Sequence, residues 1–225
     1  MWPVVGAVLP QAAAIALSPV PMACIVLVLM SARPVRAGLV FAAGWVAALV
    51  IVTGLVAGLA HEVAAADEES ARDGNDVLQL AAGVLFALLA VRYWRRRPGP
   101  DKEPERPRIF DRIATLSGPG LALAGAGAAL ANVKNLPLVL SAGSSIGAAG
   151  LSAGATAGAV LVFVGVASAT VVLPVVAVAG AGAERSAPVL KSFEEWLVRN
   201  LTTITVVVLV VLAAALIGNG LDLFR

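Results

Sequence analysis

The chain has 225 residues, of which 60% are hydrophobic and only 13% charged, with a formal net charge of +2. No soluble domain needs that balance, and several long apolar runs point to a multi-span membrane protein. A single cysteine, Cys24, excludes a disulfide framework and a CxxC redox pair.

The first apolar run covers residues 4–30. Met1, Trp2 and Pro3 bring no basic residue, and the run is too long for a signal core, so no cleavable leader is expected. Inside it lies Ser18-Pro19-Val20-Pro21. Proline has no amide hydrogen and its ring clashes with the carbonyl four residues back, so this helix must break or bend strongly. At membrane depth the freed carbonyls are tolerated only where they are buried in protein or line a wet cavity. Arg33 and Arg36 form a short basic turn before a second span at 38–60, which contains Trp45. A polar loop is expected next, with His61 and six acids (Glu62, Asp67, Glu68, Glu69, Asp73, Asp76) against Arg72. The third span, 77–94, ends in Tyr93-Trp94-Arg95-Arg96-Arg97, an aromatic anchor followed by a basic stop. The segment 98–111 is rich in proline and charge and reads as an extended, solvated linker.

The fourth span, roughly 117–140, carries Asn132-Val133-Lys134-Asn135-Leu136-Pro137. Lys134 is the one charge expected at membrane depth. Such a charge costs at least ~2.5–3.5 kcal/mol on insertion scales, so it faces a cavity or a partner and marks a pathway. Pro137 should free the carbonyl of Val133 and loosen the helix beside the lysine. Asn132 and Asn135 can hydrogen-bond the freed backbone or a ligand. The plainer alternative is a kinked helix whose lysine binds carbonyls and nothing else.

Residues 141–154 are small and uncharged and read as a loop. The fifth span, 155–181, holds Ser168, Thr170 and Pro174 in its second half. In 184–200, Val189, Phe193, Trp196 and Leu197 share one helical face opposite Lys191, Glu194 and Glu195, which suggests an interfacial amphipathic helix. A sixth span at 201–221 completes the set.

The positive-inside rule places Arg33 and Arg36, the arginine-rich linker, and Arg185, Lys191 and Arg199 in the cytoplasm, with both termini outside. Six spans make two halves of three, 1–97 and 115–225, joined by a cytoplasmic linker at 98–114. An odd number of spans per half inverts the second half. The fold expected is an all-α integral membrane protein with six transmembrane helices in two inverted three-helix repeats, the first helix of each repeat broken. Matched interruptions in inverted halves point to a transporter site at the bilayer midplane. Its candidate residues are Ser18, Pro19, Pro21, Asn132, Lys134, Asn135 and Pro137, where half-helix N-termini would favour an anion. Small residues four apart (Gly54 and Gly58; Gly150, Gly154 and Gly158) would allow close helix approach.

Other chemistries lack their residues. No aspartate or glutamate falls within an expected span, and His61 lies in the acidic loop, so neither a metal path nor a carboxylate proton relay is expected. Ser18 has no histidine beside it and reads as a helix-break hydroxyl. No enzyme activity, cofactor, metal or nucleic-acid partner is expected.

With these residues laid out, the chain resembles the actinobacterial Gap family, the peptidoglycolipid and sulfolipid addressing proteins of the lysine-exporter (LysE-like) superfamily. The resemblance covers nearly the whole chain. It rests on Ala16-Leu17-Ser18-Pro19-Val20-Pro21, Phe41-Ala42-Ala43-Gly44-Trp45, Asn132-Val133-Lys134-Asn135-Leu136 and Trp196-Leu197-Val198-Arg199-Asn200. Val133 stands where the family pattern has proline. The resemblance implies six helices in two inverted repeats and a part in moving cell-wall glycolipids to the envelope surface.

The expected function is therefore an exporter or flippase in the plasma (inner) membrane. It would carry an amphiphilic, anionic envelope lipid or glycolipid, whose headgroup Lys134 would hold. The bilayer is its second partner, and a homodimer or a larger lipid-export complex is a compatible assembly. The alternatives are an exporter of small solutes such as amino acids, and a non-transporting accessory subunit of a larger lipid exporter. A closed polar cavity would favour the solute, and a lateral opening to the bilayer would favour the lipid.

Overall fold

Prolines and glycines decide where the helices of this chain stop. The structure is a computed structural model that describes residues 1–66, 68–97, 113, 116, 118–132 and 134–221. The described chain is helical, with no strand: α1 (Trp2–Ala16), α2 (Pro19–Leu29), α3 (Pro34–Ala66), α4 (Glu68–Arg95), α5 (Gly118–Leu130), α6 (Asn135–Gly147), α7 (Ala153–Ala167), α8 (Ala169–Ala181) and α9 (Ala183–Gly220). An apolar chain in lipid must satisfy its backbone internally, and helices do so without a partner segment.

Three helical segments are long and apolar enough to cross a membrane singly: Pro34–Ala65, Val77–Arg95 and Ala183–Gly218. The remaining helices form three bent pairs: α1–α2 at 54°, α5–α6 at 72° and α7–α8 at 65°. By length and composition the described helices offer three to six candidate membrane spans, the upper figure counting each bent pair as one. The first two bends fall at the interruptions expected from sequence. The third was not expected: the fifth span is not one helix but two, parted at Ser168.

The first break shows how its prolines act. Pro19 and Pro21 occupy the first and third positions of α2, where a missing amide hydrogen is harmless. They cannot continue α1, so one helix ends and another begins. α2 is then enclosed on most sides, with Ala23, Cys24, Ile25, Val26, Val28 and Leu29 all buried. Pro137 behaves differently from expectation. It sits in the first turn of α6, where it is tolerated, and the break lies before it, around 131–134. The Val133 carbonyl that was expected to be freed lies outside the described residues.

The core is built around α3, which packs most extensively against α5 and α6. The contact is backbone on backbone. A Cβ at Gly44 would lie 2.0 Å from the Ala122 carbonyl oxygen, and one at Gly125 would lie 2.0 Å from that of Phe41. The order of these pairs makes α5 run against α3. Gly143 meets Thr53 and Val56, and Gly147 meets Ala57 and Ala60, so α6 runs with it. α4, which also touches α3, pairs most extensively with α9, Gly83 sitting against Ile217 and Ala213. Trp45, Phe41, Phe86, Phe163 and Leu197 are among the largest side chains enclosed between these layers. The glycines picked by their spacing are not the ones in contact. A Cβ would meet nothing within 4 Å at Gly54, Gly58, Gly150 or Gly154, and only Met1 at Gly158.

Three further expectations are corrected. The acidic segment is not an open loop. His61 and Glu62 extend α3, residues 68–76 open α4, and Asp67 lies outside the described residues. The uncharged loop shortens to 148–152, because α6 continues to Gly147. The segment 184–200 is not a separate interfacial helix. It forms the first half of α9, which runs on unbroken for 38 residues, about 57 Å at 1.5 Å per residue. Only Gly182, at φ 89° where side chains are disfavoured, parts α9 from α8. The buried face of this half is also not the one expected. Leu190, Glu194 and Leu197 are turned inward, whereas Val189 and Trp196 are exposed. Trp196 instead stacks on Phe193, centroids 6.0 Å apart. The linker expected at 98–111 lies outside the described residues.

Candidate functional site

The site begins with two carbonyls at the end of α1. In an unbroken helix the N–H of residue 18 would serve Ala14, that of residue 19 would serve Ile15, and that of residue 20 would serve Ala16. Pro19 has no N–H. Ser18 N–H turns instead to Ile15 O at 3.1 Å, and Leu17 N–H still reaches Ala13 O at 2.9 Å. The Ala14 and Ala16 carbonyls are taken up by side chains from the other half of the chain. Lys134 Nζ donates to Ala14 O, and Thr170 Oγ1 donates to Ala16 O. The negative end of the α1 dipole thus faces the ammonium, a favourable arrangement.

Ser18 heads α2 but does not cap it. A capping serine would accept from the second or third helical N–H, and the third is Pro21. The hydroxyl is turned outward and donates to Asn135 Oδ1 at 2.8 Å, a buried bond across 117 residues of sequence. The two asparagines tend the second break. Asn135 Nδ2 donates to Ala128 O in the last turn of α5 at 3.5 Å, and Asn132 Oδ1 accepts the Lys134 backbone N–H at 3.3 Å. Ser18 and Asn135 are fully buried, and Lys134 is 3% exposed.

The structure therefore brings Ser18, Lys134 and Asn135 together, with Asn132 half-buried beside them. Pro19, Pro21 and Pro137 act by shaping the helix ends. The N-termini of α2 and α6 do point to this region, but Pro21 and Pro137 each remove a first-turn donor. The donor burden for an anion falls on the Lys134 ammonium. Among the described residues its acceptor is Ala14 O, and an ammonium has three protons to give.

Sequence reasoning missed the third break. Ser168 Oγ accepts the Trp45 indole N–H at 3.1 Å, and Thr170 holds α1 as described. No proline marks this break: Pro174 lies inside α8, six residues beyond Ser168, and the helix continues through it. Three breaks and Trp45 thus meet in one region of the molecule.

Beside the third break lies a groove of about 380 Å³ between α3, α7 and α8. Val46, Val50, Leu161, Val164, Val172 and Leu173 line it, and Ser168 is its one hydroxyl. Leu161 and Leu173 are each 63% exposed, so the groove opens sideways onto the apolar outer surface.

No curated protein and no solved structure matches the chain. A sequence profile described as Sap, sulfolipid-1-addressing protein, matches residues 8–222. That span takes in all three breaks, both residues of the Ser18–Asn135 bond and the buried lysine, and the chain belongs to the sulfolipid-1-addressing protein (Sap) family.

Proposed function

We propose that this protein moves an anionic, amphiphilic envelope lipid across the plasma membrane toward the cell surface. In this reading Lys134 binds the headgroup. The observation that carries it is the Ser18–Asn135 bond, which joins the first two breaks with the Lys134 ammonium buried beside them. A sulfolipid offers an anionic sulfur-oxygen headgroup, and an ammonium with amide and hydroxyl neighbours is chemistry suited to it. In the resting arrangement Ala14 O holds the lysine. An incoming oxyanion would compete with that carbonyl for the ammonium protons, with Asn132 and Asn135 sharing the hydrogen bonds. The laterally open groove favours a lipid over a small solute, for which an enclosed polar cavity would be suited.

The same reading takes residues 1–97 and 115–225 as inverted repeats joined by a cytoplasmic linker at 98–114, with both termini outside. That each half opens on a bent helix pair, α1–α2 at 54° and α5–α6 at 72°, supports it. Under it α3 would correspond to the α7–α8 pair, and the two differ, α3 being continuous where α7–α8 is broken.

One observation favours a second reading, a non-transporting accessory subunit. Capping Ala14 O is what a purely structural lysine would do. Reconstituted vesicles separate the two. Wild-type protein should translocate a sulfated glycolipid between leaflets, Lys134→Met should lose that activity by at least tenfold, and Lys134→Arg should retain part of it. A guanidinium keeps the charge but misplaces it. Full activity in Lys134→Met would remove the headgroup role.

A further inference from the structure

We infer that the groove between α3, α7 and α8 seats one acyl chain of the transported lipid, and that Gly165 keeps it open. This rests on the reading above and assigns the tail a place, as that reading assigned the head. The lining is apolar, and its one hydroxyl, Ser168 Oγ, is already engaged by Trp45. A polar ligand would be stripped of water there with a single hydroxyl to bond, whereas a hydrocarbon chain asks for no partner. The volume of about 380 Å³ lies within the roughly 300–1,000 Å³ of pockets that hold small ligands. The open side is bounded by the exposed Leu161 and Leu173, so the groove is continuous with the apolar outer surface of candidate spans.

The inner wall joins this groove to the polar site. Ser168 lines the groove, and two residues later Thr170 bonds the α1 end whose neighbouring carbonyl Lys134 holds. A lipid with its headgroup at Lys134 would find its apolar exit at this break. Gly165 belongs to the lining, is itself exposed, and a Cβ there would meet nothing within 4 Å. A side chain at this position would therefore enter the groove without displacing the backbone.

The test uses the full-length protein in vesicles and a sulfated glycolipid bearing a diazirine in one acyl chain. A phosphatidylcholine with the same labelled chain is the comparison. Light should crosslink the sulfated lipid to peptides within 161–173, at several-fold higher yield than phosphatidylcholine. Gly165→Trp should cut that yield and the lipid movement at least tenfold. Gly165→Ala should keep both, and both variants should melt like the wild type. Equal crosslinking of the two lipids means a bilayer lipid only and overturns the inference, as does full transport by Gly165→Trp. The failure of the headgroup reading looks different. If no variant or wild type moves lipid, yet the sulfated chain is still crosslinked preferentially and Gly165→Trp abolishes it, the groove stands and transport falls.

Discussion

At Lys134 two opposed terms decide what a substitution does. Lys134→Met leaves the Ala14 carbonyl without its donor, which costs about 1–3 kcal/mol for a buried acceptor. It also removes a lone charge from membrane depth, which relieves at least ~2.5–3.5 kcal/mol on insertion scales. The terms nearly cancel, so the melting temperature should stay within about 5 °C of wild type by circular dichroism in detergent. A fall well beyond that would mean that the lysine holds more of the fold together than one carbonyl. Ser18→Ala has no such compensation. It strips the buried Asn135 Oδ1 of its donor at a cost of about 1–3 kcal/mol, and the same measurement should show a clear drop. The importance of Lys134 was legible in the sequence, because a single charge in an apolar run has few explanations. Its acceptor was not, because Ala14 is an anonymous alanine until the missing N–H of Pro19 shifts Ser18 onto Ile15.

Between elements, the test is which glycines bring backbones together. Gly44→Ala would place a methyl 2.0 Å from the Ala122 oxygen, and neither backbone can yield without separating α3 from α5. Overpacking of this kind costs about 1–3 kcal/mol or more, and a destabilisation of 1 kcal/mol lowers the melting temperature of a chain this size by about 2–4 °C. Gly54→Ala on the same helix meets open space and should leave the melting temperature unchanged or slightly raised, since alanine is the better helix former. Thermal unfolding of the two variants side by side is the check. Equal behaviour would mean that the α3–α5 approach is looser than its geometry. Spacing alone could not separate these glycines. Small residues recur every few positions throughout this chain, and only the facing helix decides which of them are in contact. The same limit applies to α9, where the apolar set Val189, Phe193, Trp196 and Leu197 fits one face. Packing instead buries Leu190 and Glu194 and leaves Val189 and Trp196 out. The broken helices were more legible, because proline acts through its own backbone and needs no neighbour to do so. Pro19 and Pro21 mark the first break, whereas the third, at Ser168, has no proline at it, because Pro174 lies within α8.

For the whole molecule, the proposed orientation rests on where charge sits on helices longer than the membrane is thick. α3 has 33 residues, about 50 Å at 1.5 Å per residue, against a hydrocarbon core of about 30 Å. Both of its ends must project, one carrying Arg36 beside Arg33 and the other His61 and Glu62. α4 begins at Glu68 among the acids and ends in arginines, with Arg97 stacked 4.1 Å over the Trp94 ring. An indole with a guanidinium on its face is a suitable interfacial anchor, apolar toward the lipid and charged toward the headgroups. Each helix thus presents a basic end and an acidic end, and the positive-inside rule predicts that the basic ends face the cytoplasm. Single cysteines introduced by Ser70→Cys and Lys102→Cys, with the buried Cys24 replaced by alanine, should therefore differ in intact cells. A membrane-impermeant thiol reagent should label the first and spare the second until the cells are broken open. Ser70→Cys sits in the first turn of α4, so its labelling also reports whether that end of the helix stands clear of the bilayer. The opposite pattern would invert the molecule, place the acidic end in the cytoplasm, and remove the basis for reading residues 1–97 and 115–225 as inverted halves.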